Sequence, residues 1–382
     1  MARMIFLDNQ STTPCDPRVV AAMLPWFTDN FANPHSSEHA MGRAAEAAVE
    51  GARAEIAASI GADPREIVFT SGATESNNIA IKGAARHARR VGDLRRRVIT
   101  LATEHKCVLE SVSDLAEDGF DPVVLPVRRD GTLDLERLED ALASPTLLVS
   151  VMTVNNETGV IQDIAAIAAL AKRHGALFHT DAAQALGKIP VDVAGIDLMS
   201  ITAHKLYGPK GIGALYVRRR PRARVAALFS GGNQERGLRS GTLATPLVVG
   251  FGAACRIAVA EMASDASRIG LLRDHFLRVL SRTLPSLSLN GTPSARIAGN
   301  LNLQFPTRTA AALMQECPEL CVSTGSACSS AVVEPSYVLR AMGLSDGEAS
   351  RSLRIGIGRF TSATEIEAAA HALVAAHALQ QA

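Results

Sequence analysis

The chain has 382 residues, 47% of them hydrophobic and 20% charged, with a formal net charge of +1. Charge so evenly balanced offers no bulk attraction for nucleic acid or a membrane surface, and the length is enough for more than one core. The start, Met-Ala-Arg-Met-Ile-Phe-Leu-Asp, is too short in its apolar run for a signal peptide, and no segment reads as a span of roughly 18 apolar residues, so a cytoplasmic enzyme is expected.

In chain order, the Ala-rich run from Met41 to Ile60, closed by Gly61, reads as a helix. Strand-like runs near 66–70, 97–101, 122–127, 146–151, 176–180, 196–201 and 213–217 then alternate with helical patterns. That alternation predicts an α/β fold with a mostly parallel central sheet and with functional groups on loops at the strand ends. After a helical stretch beginning near Ala253, a smaller α+β unit follows, with strands near 299–305 and 351–357 and a closing helix from Ala363. The basic cluster from Arg86 to Arg97 reads as a solvated helix end and loop, with RNA or an acidic partner as the alternative.

The loops carry the chemistry. Ile67-Val68-Phe69-Thr70 runs into Ser71-Gly72-Ala73-Thr74-Glu75-Ser76-Asn77-Asn78, and a helical pattern follows from Ile79. A small-residue turn opening a helix offers free N–H groups and the positive end of the dipole to a phosphate, with Ala73 and Thr74 as the natural contacts; a merely capped helix start is the other reading. Thr103-Glu104-His105-Lys106 puts an imidazole at the next strand end, where His105 could stack on a cofactor ring and exchange protons, or be structural. Val154-Asn155-Asn156-Glu157-Thr158-Gly159 brings amides to the same edge, and Asn156 is a candidate for contact with substrate or ring oxygen.

Ala176-Leu177-Phe178-His179-Thr180 leads into Asp181, with Gln184 three residues later. A carboxylate ending a buried strand is costly unless it meets a cation such as a pyridinium nitrogen; an N-cap for the next helix is the plainer use. Gln184 would reach the phenolic oxygen of that ring. Residues 200–213, Ser-Ile-Thr-Ala-His-Lys-Leu-Tyr-Gly-Pro-Lys-Gly-Ile-Gly, then set a hydroxyl, an imidazole and a lysine at a strand end. That is how a pyridoxal phosphate site looks in sequence: Lys205 carries the aldehyde, while Thr202 and His204 bond the phosphate. In Leu353-Arg354-Ile355-Gly356 an arginine inside a strand needs an anion, either a substrate carboxylate or a protein carboxylate.

Six cysteines in a chain of this length, without a Cys-x-x-Cys pair, argue against a disulfide framework or a metal site. Cys328, in Thr324-Gly325-Ser326-Ala327-Cys328-Ser329-Ser330, has the small polar setting of an accessible thiol. Cys15, Cys107, Cys255, Cys317 and Cys321 read as structural or incidental, with Cys321 expected to be the most buried and a Cys321–Cys328 bridge as a minor alternative.

Together with Leu7-Asp8-Asn9-Gln10-Ser11-Thr12-Thr13-Pro14, Asn33-Pro34-His35-Ser36-Ser37 and Glu235-Arg236-Gly237-Leu238-Arg239-Ser240-Gly241-Thr242, these segments resemble the cysteine desulfurases of the NifS/IscS group, a branch of the class V aminotransferases, over nearly the whole chain. The resemblance implies the pyridoxal phosphate-dependent transferase fold of type I, with a large domain over 14–257 and a small domain over 1–13 and 258–382. It also implies a homodimer in which Thr242 reaches the neighbouring subunit's cofactor phosphate. By it Lys205 is the cofactor lysine, Arg354 the clamp for the carboxylate of L-cysteine, His105 an aid to proton transfer, and Cys328 the nucleophile that takes the sulfur as a persulfide. The sulfur would pass to an iron–sulfur scaffold, a tRNA-thiolation carrier or another acceptor protein. Selenocysteine lyase, an ordinary class V aminotransferase and a silent sulfur-trafficking scaffold are the alternatives. The sequence departs from the group's pattern at Asn233, where a third glycine is usual, and over 307–321; asparagine best tolerates the positive torsion Asn233 would need.

Overall fold

The computed structural model describes residues 4–325 and 335–379. Its strands, in chain order, are β1 (Ile5–Phe6), β2 (Ile67–Thr70), β3 (Arg97–Leu101), β4 (Asp121–Leu125), β5 (Thr146–Ser150), β6 (Leu177–Asp181), β7 (Leu198–Thr202), β8 (Gly213–Val217), β9 (Ser288–Leu289), β10 (Asn300–Gln304), β11 (Leu320–Cys321) and β12 (Ser352–Gly356).

Seven of them form one sheet in the order β2-β8-β7-β6-β5-β3-β4. The pairs from β7 to β4 are parallel, and β8 runs antiparallel to both β7 and β2. Strands β2, β5, β7 and β8 are buried along their whole length, which is why they read as continuous apolar runs: helices cover both faces. Because β2 is antiparallel to β8, and β8 to β7, strand β2 points the same way as the parallel set. The turns after β2, β3, β5, β6 and β7 therefore open on one edge, and this places the site.

Two helices begin earlier than their periodicity suggested. The helix after β2 spans Ala73–Arg90 rather than starting at Ile79, because its polar first turn needs no apolar face at the mouth of a cleft. The helix expected from Ala253 spans Thr245–Thr283. It also corrects the expectation that no segment could cross a membrane: by length and composition it can, with an 18-residue stretch of mean hydropathy 1.5. Here Val248, Phe251, Ala254 and Ile257 of that helix join one core with Val49, Ala52 and Ile56 of helix Ala40–Ala58. Its later part sends Ile269, Phe276 and Leu280 into a second core with Leu301, Leu303, Leu353, Ile355 and Leu373, which also takes Ile5 and Leu7 from the chain start. That second core lies under a three-stranded antiparallel sheet ordered β12-β10-β9, and β1 pairs in parallel with β11.

Cys321 is half-buried, and the most enclosed of the described cysteines are Cys255 and Cys317. Alternation along the two-residue strand β11 turns Leu320 inward and Cys321 outward. Asn233 has φ 60°, so asparagine does occupy the left-handed region there.

Candidate active site

The strand-end turns converge on a cavity of about 510 Å³ lined by residues that include Ala73, Thr74, His105, Asp181, Thr202, His204 and Lys205. Seven of the sequence-predicted site residues thus meet in one place. The helix Ala73–Arg90 starts there with Gly72 at its N-cap and no side-chain cap, so its first N–H groups face the cavity. Close backbone contact sets that geometry. A Cβ on Gly213 would meet Ile201 O at 2.6 Å and Gly72 Cα at 2.7 Å, so only glycine lets β8 pass behind the turn.

Asp181, the last residue of β6, is buried; its Oδ1 accepts from Ala183 N at 2.9 Å and its Oδ2 from Asn77 Nδ2 at 2.8 Å. The Ala183 bond ties down a turn and not the helix expected there, since no helix lies between β6 and β7, and Asp181 also lines the cavity. Asn77 was not singled out from the sequence; its signal was its place one helical turn after Ala73, on the same face. His204 Nδ1 pairs with Thr12 Oγ at 3.1 Å, and burial together with the charges of Lys205, Lys210 and Lys188 pushes its pKa down to about 4. It therefore sits as a neutral ring. Thr202 Oγ donates a long bond to Ile212 O at 3.4 Å.

Cys107, read from sequence as structural or incidental, lines the cavity. Its Sγ lies 3.0 Å from His105 Nδ1 and accepts from Asn77 Nδ2 at 3.2 Å. Burial and the Asp181 charge push its pKa up to about 11, so it is a thiol and not a nucleophile at neutral pH.

Four predicted residues do not line this cavity. Gln184 is buried one turn beyond Asp181, its Nε2 donating to Gln10 O at 2.8 Å and its Oε1 accepting from Lys188 Nζ at 2.6 Å. Lys188 falls to about pKa 7 through burial and the charges of Lys205 and Arg354. Arg354, on β12, is 3% exposed; it donates from Nη1 to Asn156 O at 3.0 Å and from Nη2 to Asp8 Oδ1 at 2.7 Å, and its Nε is buried without a partner among the described residues. The protein carboxylate offered as the alternative partner is present as Asp8, and these two bonds use two of the guanidinium's five N–H groups. Asn156 Oδ1 is likewise buried and unpartnered among the described residues. Thr242 is exposed on the loop between Gly231 and Leu243. That loop is anchored by Glu235, whose carboxylate takes Arg53 Nη1 and Nη2, each at 2.8 Å, and Phe69 N at 2.7 Å.

Cys328 lies outside the described residues. The described chain on either side of it meets at Glu157. A Cβ on Gly325, at φ 90°, would lie 2.6 Å from Glu157 Oε2, and the same oxygen accepts from Ser336 Oγ. Burial pushes Glu157 up to about pKa 7, against the pull of Ser336, Arg354 and Lys106.

A lysine, a buried strand-end carboxylate, an open helix N-terminus and an imidazole thus meet on one edge of a mostly parallel sheet. The chain matches the family described as Aminotransferase class-V over residues 5–369 and belongs to it. Among its relatives are a cysteine desulfurase of Homo sapiens, 53% identical over 96% of this chain and 80% of that one, and the cysteine desulfurase IscS of Rickettsia typhi, 52% identical over 95% and 88%. A solved structure described as a NifS-like protein superposes with a TM-score of 0.91 at 32% identity, covering 98% of this chain and all of the other.

Proposed function

We propose that the protein is a pyridoxal phosphate-dependent cysteine desulfurase that converts L-cysteine to L-alanine and leaves the sulfur as a persulfide on Cys328. The observation that carries the reading is the convergence of Lys205, Asp181, His105 and the uncapped turn at Ala73 and Thr74 on one cavity. The cavity residues fit the cofactor: the helix N-terminus with Thr202 and His204 suits a phosphate, Lys205 an aldehyde and Asp181 a protonated ring nitrogen, whereas Gln184, its amide held by Gln10 and Lys188, and Asn156 stand outside the lining and do not reach the ring oxygen as placed. When bound, the cofactor supplies an electron sink for carbanion chemistry at the substrate.

The chain's own residues do the rest. Arg354 would orient the substrate carboxylate through its spare N–H groups, and the Lys205 amine would carry the substrate's α-proton. The Cys328 thiolate attacks the substrate sulfur, forming an S–S bond as the C–S bond breaks. The electron pair of that bond stays with the carbon, which takes up protons to become alanine. Thr242 serves the phosphate site of the other subunit in a homodimer, and the persulfide passes to a sulfur-acceptor protein such as an iron–sulfur scaffold or a tRNA-thiolation carrier.

The test is alanine and sulfide release from L-cysteine with a thiol reductant, comparing the wild type with Cys328→Ser, both checked for the visible absorbance of lysine-bound cofactor. Turnover by the wild type, and none by a variant that still binds cofactor, supports the reading. Equal activity would favour an aminotransferase, which has no use for Cys328. Competition between cysteine and selenocysteine separates the lyase alternative, and failure of the wild type to hold cofactor would revive the silent scaffold.

A further inference from the structure

We infer that His105 works as a neutral hydrogen-bond donor, locked in the tautomer with its proton on Nε2, and not as an imidazolium or a general base. The inference rests on the reading of the cavity as the cofactor and substrate site, and narrows the role of one residue in it.

The lock is the backbone. His105 is the N-cap of helix Lys106–Ser113, and its Nδ1 accepts from Cys107 N at 3.2 Å. A backbone N–H can only donate, so Nδ1 must hold its lone pair outward and carries no proton. The Cys107 thiol, 3.0 Å from the same nitrogen, has a hydrogen to give and an incoming donor of its own in Asn77 Nδ2. With Nδ1 turned back onto the helix start, the nitrogen on the opposite side of the ring, Nε2, is the one left for the cavity that His105 lines.

Charge enforces the same state. Protonating Nδ1 would turn an acceptor of two hydrogens into a donor facing both, at the positive end of a helix dipole. Burial, Lys205 and Lys106 oppose a cation, and Asp181 and Glu110 only partly offset them. Glu104, next in the chain, is driven by burial towards its uncharged acid. An imidazole so placed has a proton to share and no accessible lone pair with which to take one. Base duty in the cavity falls to the Lys205 amine, and His105 holds an electron-rich atom, the substrate sulfur or a cofactor oxygen, by its Nε2–H.

Two measurements test this on the cofactor-loaded protein. The first is ¹⁵N NMR of histidine-labelled protein between pH 6 and 9, with His105 assigned by comparison with His105→Gln. The expected result is an unprotonated Nδ1 and a protonated Nε2 throughout; an Nδ1–H tautomer, or joint titration of both nitrogens, overturns the inference. The second is the pair His105→Gln and His105→Phe. A neutral amide can replace a neutral donor, so Gln should keep turnover within about tenfold of wild type, the equivalent of one ordinary hydrogen bond. Phe should fall well below it. A general acid–base would lose about 10²- to 10⁴-fold in either variant, and Gln as inactive as Phe with normal cofactor absorbance overturns the inference. The tautomer is read whether or not cysteine is turned over, so failure here stays distinct from failure of the desulfurase reading.

Discussion

Replacing Arg354 by lysine keeps the charge and removes the fork, and the structure sets how much that should matter. Each terminal nitrogen uses one of its two hydrogens, one on Asp8 and one on Asn156 O, and Nε is buried without a partner among the described residues. The fork therefore keeps N–H groups for a substrate carboxylate, and the loss of one charge-assisted bond to it on substitution by lysine costs about 1.5–3 kcal/mol. At about 1.4 kcal/mol per decade this corresponds to a fall in kcat/KM for L-cysteine of roughly 10- to 150-fold. Cysteamine, with the same amine and thiol but no carboxylate, isolates the effect: its binding, followed through the cofactor's visible spectrum, should be nearly the same in both proteins. Thermal unfolding guards against a trivial cause, since Asp8 also loses part of its ion pair. Equal losses for cysteine and cysteamine in a folded variant, or no loss for cysteine, would refute the assignment and leave Arg354 a structural partner of Asp8.

Three further outcomes follow from the packing around the site. The folded pKa of Glu157 is raised by burial from 4.5 to about 7. Its acid form is the stabilised one, so this contribution is present in full below pH 4.5 and lost as pH rises through 7, a change of about 3 kcal/mol. Urea unfolding should show this decline in the wild type and not in Glu157→Gln; identical slopes would contradict it. Glu235→Ala removes the buried partner of the 3%-exposed Arg53 guanidinium, leaving it Glu50 and Ile67 O, and should destabilise the fold by about 2–3 kcal/mol, below the cost of a wholly unpaired buried charge, with Glu235→Gln intermediate; a loss under about 1 kcal/mol in chemical denaturation would count against the anchor. Gly213→Ala forces a Cβ against Ile201 O and Gly72 Cα and should shift the turn before Ala73, seen as faster cofactor release in dilution experiments with the sheet's circular dichroism intact. Unchanged retention would show that the turn yields without harm.

Strands covered on both faces read as mostly apolar runs, so the sequence alone marked the seven strand segments of the sheet, their alternation with helices, and the placing of Ala73, His105, Asp181 and Lys205 at strand ends. Short-range chemistry was legible for the same reason: a torsion such as that of Asn233 depends on a residue and its neighbours. What the sequence could not contain were relations between distant segments. Cys107 looks incidental until folding brings Asn77 and the Asp181 charge to it, and Asn77 acquires a partner only when its helix lies over the end of β6. Arg354 meets Asp8 across 346 residues because the chain start returns to β12. The burial of Glu157 between the chain on either side of 326–334 likewise has no local signature. The tertiary structure alone decided these, because pKa values and tautomers follow from desolvation and from the particular donors and charges that folding brings within a few ångströms.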